Sequence, residues 1–446
     1  MNYPNSSNKE RIHQDTDRKT VFERIKKGIQ SALKNSNKAA ILAAYILIAI
    51  IGWFWLQPDG ETAFAAFGIG LHKLSYIPAV VIGLLCLFYV YGRPKGAQAV
   101  RDSLTRAGVV NHAGEAPTLT DRQQDPDNPK VEICILDANG VSVSELEDHR
   151  AEVESALNVH IGQIGQGADK GQIRFSCVAG DKSLPDRIEW HNEYLNQQNF
   201  MLVLGESILG KVYLNLAEMP HMLIGGATSS GKTILFKSLL AQCEKKGANI
   251  IVADLKGGVD FPVIWYSKGL MLLDELAIVN TLDHLVWQID DRKKLFKEAG
   301  ASGIDNYNAI TGENLSRFVF ACDEVAELFL YSSRDKEQKA LFEKIERNMS
   351  YIARQGRAFG IHLMLSTQRP DANIIPPQIR SNLTTRICGR ADKILAQIIM
   401  DSTEAAEQVP LDTAGRFYTN IGNGTLFQAY WFSEETFWRE GEFYNE

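Results

Sequence analysis

The sequence has few of the features that mark small secreted proteins or zinc-bound proteins. Its 446 residues contain six scattered cysteines without a C-x-x-C pair: Cys86, Cys134, Cys177, Cys243, Cys322 and Cys388. This spacing argues against a disulfide framework or a zinc site and favours buried free thiols in a reducing compartment. Positive charge is not in excess either, because the formal net charge is −7. A wholly basic surface is therefore excluded, and any nucleic-acid contact must be confined to a local patch or channel.

Long uncharged apolar runs occur near the amino terminus. Residues 39–56 carry no charge over eighteen positions, which suits a membrane-spanning helix, and a shorter run covers residues 76–91. A buried core helix is the alternative for the second run. Positive charge is concentrated after that run, at Arg93, Lys95, Arg101 and Arg106, whereas the connecting loop holds one lysine. The charge distribution predicts that both ends of a two-helix hairpin lie in the cytoplasm.

Changes in composition divide the chain into five predicted segments. These are a basic cytoplasmic tail (1–37), a two-helix transmembrane hairpin (38–92), a linker rich in Gly, Asp, Gln and Pro (93–130), a small α/β adaptor domain (131–204) and a motor domain (205–446). Within the adaptor domain, the pattern predicts strands at 130–136 and 172–178 and an amphipathic helix at 144–161. No catalytic constellation is found in the adaptor domain.

The stretch from residue 220 to 235, PHMLIGGATSSGKTIL, organises the motor domain. A short apolar strand leads into a G-x-x-x-x-G-K-T loop, and an amphipathic helix follows, which is the context of a phosphate-binding loop. In such a loop the backbone N–H groups surround a β-phosphate, the lysine reaches the β- and γ-phosphates, and the Thr233 hydroxyl ligates Mg²⁺. The predicted binding residues for ATP are Gly226, Ala227, Thr228, Ser229, Ser230, Gly231, Lys232, Thr233 and Ile234.

Polar residues follow three further predicted strands. Residues 317–324, RFVFACDE, end in Asp323, which is expected to join the Mg²⁺ shell, and Glu324, which is expected to align the attacking water. Residues 361–367 form an apolar strand that is followed by Gln368, a candidate sensor of the γ-phosphate. The strand 249–254 ends in Asp254 with Lys256 nearby, where either ligand binding or an ordinary turn is possible.

A helical run at 282–299 contains Arg292, Lys293, Lys294 and Lys297. A charged run of this kind is usually a solvated helix face, and the alternative is a face that contacts DNA.

The order of these motifs resembles the FtsK/SpoIIIE family of membrane-anchored DNA pumps. The resemblance covers about residues 205–430 and rests on PHMLIGGATSSGKT, the strand before Asp254, GIDNYN, FACDE and GIHLMLSTQRPDANII. It implies a RecA-like P-loop ATPase fold, a hexameric ring with ATP sites between subunits, and catalytic roles for Lys232, Glu324 and Gln368. It also makes Arg357 the first candidate for an arginine finger that reaches a neighbouring subunit, and Arg386 the second.

Two spans, a short linker and a single motor resemble the compact, FtsK-like coupling proteins of conjugative plasmids and integrative elements more than the chromosome-segregating pumps. The resemblance implies a multi-pass protein of the bacterial inner membrane that moves DNA, double-stranded in preference to single-stranded, and meets relaxosome or secretion-channel proteins. The stretch between Asn308 and Arg317 is shorter than in the chromosome-segregating pumps, so the resemblance does not identify the loops that contact DNA. The alternatives are a chromosome-segregation translocase, a type VII-like protein-secretion ATPase and a nucleotide switch that does not hydrolyse ATP.

Overall fold

The computed structural model describes residues 21–22, 24–33, 36–55, 63–92, 94, 96–126, 128–329, 336–369, 375–422 and 424–439. The helices are α1 Ser36–Trp55, α2 Ala63–Tyr91, α3 Ala97–Arg106, α4 Val143–Asp148, α5 Arg150–Leu157, α6 Lys232–Lys245, α7 Trp265–Lys268, α8 Glu275–Ala299, α9 Ile304–Thr311, α10 Lys336–Gln355, α11 Pro377–Arg380, α12 Lys393–Met400, α13 Glu404–Gln408 and α14 Glu434–Arg439.

The strands are β1 Thr118–Gln124, β2 Glu132–Asp137, β3 Val159–Gln166, β4 Gln172–Ala179, β5 Ile188–Glu189, β6 Met201–Ser207, β7 Gly210–Asn215, β8 His221–Gly225, β9 Asn249–Ala253, β10 Gly269–Leu272, β11 Phe318–Cys322, β12 Ile361–Thr367, β13 Thr385–Cys388, β14 Arg416–Thr419 and β15 Thr425–Trp431. Short 3₁₀ turns lie at Asn192–Tyr194, Val325–Leu328 and Gly356–Phe359.

The first two helices run antiparallel. The Tyr45 hydroxyl donates to the Val80 carbonyl at 3.0 Å, and the Tyr76 hydroxyl donates to the Ala49 carbonyl at 2.9 Å. In the described part of the chain, only α1 is long and apolar enough to cross a membrane, over Ser36–Phe54, while α2 contains a shorter apolar stretch, Tyr76–Tyr91. The first predicted span is thus matched by one candidate helix, and the two-span hairpin stays a prediction. Most of the predicted tail, residues 1–20, lies outside the described residues.

A four-stranded sheet with the order β1-β2-β4-β3 forms a small α/β layer with α3, α4 and α5. Leu104, Leu119, Val153 and Phe175 are buried in this part of the chain. Helix α4 begins with a capping box, in which Ser142 accepts from the Glu145 N–H and the Glu145 side chain accepts from the Ser142 N–H.

The boundaries of the predicted adaptor and linker differ from the structure in three places. The predicted linker contains α3 and β1, so ordered structure begins before residue 131. The single helix predicted at 144–161 is two short helices that end at Leu157, and the chain continues as β3. At the other end, β5 pairs with β15 and β6 pairs with β15 and β7, so residues before 205 already belong to the motor sheet.

The motor is built on an eleven-stranded mixed sheet. Its order is β10-β9-β11-β12-β8-β13-β14-β15-β6-β7, with β5 beside β15. The six strands from β10 to β13 are parallel, and β14, β15, β6 and β7 continue the sheet as antiparallel strands. The mixed α/β fold predicted for the motor is therefore present.

Both faces of the parallel part are covered, which is why its strands read as continuous apolar runs. Alternate side chains point to opposite faces: Leu223 joins one core with α8 and α10, whereas Met222 and Ile224 join another core with α6. Each strand therefore contributes to two separate hydrophobic layers, and the sheet is fixed from both sides.

Parallel register brings the carboxyl ends of these strands to one edge of the sheet. Gly225 lies opposite Thr367 on one side and Cys388 on the other, and Cys322 lies opposite Ala253 and Leu365. The residues that follow β8, β9, β11, β12 and β13 consequently meet at this edge, where ligands bind in open α/β sheets.

The opposite edge of the sheet contains two buried histidines. The Leu363 N–H donates to Nδ1 of His221 at 2.9 Å, and Arg317 lies 3.2 Å from Nε2 of His362, whose Nδ1 is 3.0 Å from the Pro220 carbonyl. Arginine has only donors, so His362 must accept at Nε2 and donate at Nδ1, as a neutral ring does. Burial lowers the pKa of His221 to about 4, and burial together with the Arg317 charge holds the pKa of His362 well below 6.5.

The two histidines predict a pH-dependent stability. Below pH 6.5 the unfolded chain binds protons that the folded chain does not, so the free energy of unfolding should fall as the pH falls from 6.5 towards 4. His221 alone should contribute a loss of about 3 kcal/mol over this window. Urea unfolding of the full chain in detergent micelles at pH 4.5 to 7.5 measures the loss. H221Q and H362Q should flatten the profile and H284Q should not; a flat wild-type profile contradicts the prediction.

Candidate active site

The G-x-x-x-x-G-K-T loop lies between β8 and α6 at the carboxyl edge of the sheet. Gly226, Ser229 and Gly231 have positive φ angles of 156°, 63° and 92°. A Cβ at Gly226 would lie 2.7 Å from Oγ of Ser230, and one at Gly231 would lie 2.9 Å from the Gly415 nitrogen. Both glycines of the motif are therefore required by backbone conformation and by close packing.

The loop has an unused polar group of its own. The Ser230 side chain is buried, and its hydroxyl has no hydrogen-bond partner among the described residues. A buried hydroxyl without a partner costs free energy. In a loop with the phosphate-binding sequence, this orphaned donor fits an anionic ligand that is expected to supply the missing acceptor.

Lys232 and Asp323 form a buried ion pair at the foot of the loop. The Lys232 ammonium lies 2.8 Å from Oδ1 of Asp323, and it also donates to Oγ of Ser366 at 2.6 Å. The pair is 3% exposed at Lys232 and 5% at Asp323. Burial raises the pKa of the Asp323 carboxyl, but the Lys232 charge and hydrogen bonds from Lys232 and Ser366 outweigh it, so its pKa lies below the ordinary value. Asp323 is therefore held as a carboxylate.

Thr233 completes this group. Its hydroxyl donates to Oδ2 of Asp323 at 3.4 Å, so the two predicted metal ligands lie side by side. In the described residues no three His, Cys, Asp or Glu side chains converge in a way that could hold a metal ion. A Mg²⁺ ion in a nucleotide site commonly takes one or two protein ligands and the phosphates of the substrate. The Thr233 and Asp323 oxygens fit that arrangement.

Glu324 is held by the end of β12. Its Oε1 accepts from the Thr367 hydroxyl at 2.7 Å, and its Oε2 accepts from the Gln368 N–H at 3.1 Å. The Gln368 side chain in turn accepts from the Thr228 hydroxyl at 2.9 Å. The acidic pair, the strand-end glutamine and the loop therefore lie within one hydrogen-bonded group, and their catalytic roles stay predictions.

Sequence reasoning missed two residues of this site. Ser366 and Thr367 lie just before Gln368, and their hydroxyls bond Asp323 and Glu324. Their signal was the pair of hydroxyl residues at the end of an otherwise apolar strand. Asp254, whose role was left open, is buried; its Oδ1 accepts from the Lys256 N–H, and its Oδ2 has no partner among the described residues.

The structure argues against Arg386 as an arginine finger. Its side chain is buried and donates to the carbonyls of Leu383, Ile399 and Arg380 at 2.5, 2.7 and 2.7 Å. Three of the five guanidinium donors are thus used inside the subunit. Arg386 points into the core from β13, where three main-chain carbonyls satisfy its guanidinium.

Arg357 is placed differently. It is exposed and lies four residues before the first residue of β12, and its side chain makes no hydrogen bond or ion pair with another described residue. The strand has seven residues, or roughly 20 Å, so Arg357 and the loop of its own chain lie at opposite edges of the sheet. Its role as a finger towards a neighbouring subunit stays a prediction.

The charged run on α8 is not a uniform DNA-facing surface. Arg292 is buried and donates to the Phe359 carbonyl at 2.5 Å and to the Ser316 carbonyl at 2.8 Å. Lys293 is bonded to Asp290 and Tyr351. The first residue of the run is therefore structural, and the second belongs to an ion pair within the subunit.

Comparison with known proteins relates this motor to DNA translocases and coupling proteins. Residues 207–284 match the type IV secretion-system coupling protein DNA-binding domain family. The chain is 31% identical to a solved structure, the monomer form of the pCW3 conjugation coupling protein TcpA with ATPgS, which covers 77% of this chain and 97% of that chain with a TM-score of 0.56.

Curated relatives match over the motor. The DNA translocase FtsK of Campylobacter jejuni subsp. jejuni serotype O:23/36 (strain 81-176) is 30% identical over 217 residues, which is 46% of this chain and 22% of that protein. The DNA translocase SftA of Bacillus subtilis (strain 168) is 33% identical over 196 residues, which is 41% of this chain and 20% of that protein. The match thus spans about a fifth of the length of these relatives.

Proposed function

Because the chain belongs to the FtsK/SpoIIIE family, as an FtsK-like coupling protein, we propose that it is an ATP-driven DNA translocase of a conjugative plasmid or integrative element. The observation that carries the proposal is the convergence of Lys232, Asp323 and Glu324 at one sheet edge, beside a loop whose glycines cannot be replaced. The pCW3 coupling protein, with 31% identity over nearly its whole chain, supports the conjugative assignment.

The geometry supports hydrolysis of ATP at this loop. The loop residues 226–234 would hold the phosphates, and the Lys232 ammonium would exchange its bond to Asp323 for the β- and γ-phosphate oxygens. Thr233 and Asp323 would hold Mg²⁺, which neutralises phosphate charge when it is bound. Glu324 would orient a water for in-line attack, so that the new bond forms at the γ-phosphorus and the bond to the β–γ bridging oxygen breaks.

Within the described residues, neither candidate arginine is free to reach the site of its own subunit and stabilise the developing charge. Arg386 is used inside the fold, and Arg357 lies at the far edge of the sheet. An arginine at that position can serve only a site in another copy of the chain. We therefore propose a ring, with six subunits as in the FtsK/SpoIIIE family, in which Arg357 completes the neighbour's site.

The proposed protein is anchored in the bacterial inner membrane by α1 and α2, with both termini and the motor in the cytoplasm. The candidate span in α1 supports a membrane anchor, whereas the second span and the cytoplasmic side of the termini rest on the sequence pattern and its charge distribution. Its partners would be DNA, double-stranded in preference to single-stranded, and relaxosome or secretion-channel proteins. The net charge of −7 confines the DNA contact to a local surface, such as the pore of the ring.

DNA-stimulated ATP hydrolysis tests the proposal. The full chain in lipid nanodiscs should hydrolyse ATP at least about fivefold faster with duplex DNA than without it, because polymer and nucleotide binding are coupled in a translocase. The stimulation should weaken as salt rises, since phosphate contacts release counterions. Stimulation by single-stranded DNA alone would reverse the strand preference. No stimulation by either form would overturn the DNA assignment and favour a protein-secretion motor.

A further inference from the structure

Arg390 lies beside the phosphate-binding loop, although no motif includes it. It follows β13, which is parallel to β8 with Cys388 opposite Gly225. The Gly389 N–H donates to the Gly225 carbonyl at 2.8 Å, and the Ala227 N–H donates to the Arg390 carbonyl at 2.7 Å. The backbone around Arg390 therefore continues the sheet as a wall along the first residues of the loop.

The Arg390 side chain joins two segments. Its Nη2 donates to the Thr228 carbonyl at 2.7 Å, and its Nη1 donates to the Leu411 carbonyl at 2.9 Å. The guanidinium is planar and holds its donors in a fixed fork, so the two carbonyls are kept at a defined separation. The segment after Leu411 meets the loop a second time, because the Gly415 N–H donates to the Ser230 carbonyl at 2.9 Å.

Thr228 is the point at which this contact meets the catalytic side of the site. Its carbonyl accepts from Arg390, while its hydroxyl donates to the Gln368 side chain. The Gln368 N–H donates to Glu324. A continuous set of hydrogen bonds therefore crosses the sheet edge from β13, through the loop, to the ends of β12 and β11.

We propose that Arg390 is a positioning residue for ATP hydrolysis: it fixes the Ala227–Thr228 wall of the loop and couples residues 411–415 to Gln368 and Glu324. The loop needs such support, since Ser229 has a left-handed backbone conformation that only surrounding contacts maintain. Arg390 acts through Thr228 and needs no contact with the nucleotide. The inference rests on the proposed ATPase activity and deepens it.

The test compares R390A with R390K and with R187A in the full chain in nanodiscs. Arg187 is an exposed arginine bonded to Glu189, so R187A matches the change in charge. R390A should raise KM for ATP about tenfold, because the charge-assisted hydrogen bond to the Thr228 carbonyl of the loop is lost together with the bond that ties the loop to Leu411. R390K should recover part of this loss, and R187A should match the wild type.

A double-mutant cycle tests the connection through Thr228. Q368A should lower kcat by about tenfold in the wild type but by only about twofold in R390A, because the first loss already uncouples the loop from Gln368. T228V removes the hydroxyl and keeps the carbonyl, so the non-additivity between positions 390 and 368 should disappear in that background. Effects that simply multiply in every background would overturn the coupling.

The outcomes separate this inference from the proposed function. A wild-type chain without ATPase activity would overturn the proposed function itself. Two results with an active wild type would overturn the positioning role and leave the ATPase assignment intact. One is an unchanged KM for ATP in R390A. The other is an R390A chain whose melting temperature falls while its KM and kcat stay at wild-type values.

Discussion

Replacing Lys232 with alanine is expected to lower the rate of ATP hydrolysis by at least about a thousandfold. The Lys232 ammonium is the only charged side chain within the loop sequence 226–234, and it stands at the first residue of α6, where the phosphates of a nucleotide are expected to bind. Its removal takes away the cation for which no other loop residue can substitute. The measurement is the steady-state release of phosphate by the full chain in nanodiscs, with and without duplex DNA.

Folding must be separated from catalysis in this variant. Lys232 is paired with Asp323 in the core, and breaking a buried ion pair costs about 3 kcal/mol because one charge is left without a partner. Lys237 offers a matched control on the same helix, since it is nearly buried and lies 2.8 Å from Glu434. K237A should lose comparable stability and keep its ATPase activity.

The same variant should change the titration of Asp323. Burial already raises the pKa of this carboxyl, and without the Lys232 charge and hydrogen bond less opposes it, so the pKa should lie above its present, lowered value. A K232A chain that melts no lower than K237A yet keeps more than about a tenth of the wild-type rate would contradict the assigned role of the lysine.

The motor could be predicted from sequence because its strands are buried on both faces. A strand such as β12 or β11 appears in the sequence as a continuous apolar run. The polar residues that follow the run mark the edge of the sheet at which a site forms. The glycine loop is equally visible, since its conformation excludes most other residues. Parallel register then makes the meeting of Asp323, Glu324 and Gln368 unavoidable.

The small domain was less predictable because its strands carry weak signals. Strand β1, TLTDRQQ, lies at the edge of its sheet and is largely polar, so its composition is that of a linker. Helices α4 and α5 are separated by a break at His149, and β3 follows after one residue, Asn158, with a φ of 50°. Such short elements depend on tertiary packing, which periodicity does not reveal.

Two arginines show what a charge count cannot distinguish. Arg292 falls at the spacing of the buried residues Leu285, Ile289 and Phe296, so the helical stripe itself could have assigned it to the interior. Arg386 lies in a four-residue strand in which every residue is buried. In both cases main-chain carbonyls compensate the buried charge, and only the folded chain brings those carbonyls to the guanidinium.

Replacing Glu324 with glutamine is expected to abolish turnover while ATP still binds. Both Glu324 oxygens already accept one hydrogen bond, from Thr367 and Gln368, and each carboxylate oxygen has a second lone pair that can accept from water. Glutamine keeps the size of the side chain and one accepting oxygen, but it removes the negative charge that orients the water. The hydrolysis rate should therefore fall by about a thousandfold, whereas the dissociation constant for ATP should change by no more than about threefold.

Single-turnover hydrolysis and equilibrium binding of ATP by the full chain measure the two effects separately. E206Q is the matched control, because Glu206 is a partly buried carboxylate that accepts from a hydroxyl, Tyr430, in the antiparallel part of the same sheet. E206Q should hydrolyse ATP at the wild-type rate. The catalytic hypothesis requires that E324Q still binds ATP and loses the chemical step. An E324Q chain that binds ATP poorly would instead assign Glu324 to holding β12 against the loop. An E324Q chain that hydrolyses ATP at the normal rate would remove Glu324 from the reaction.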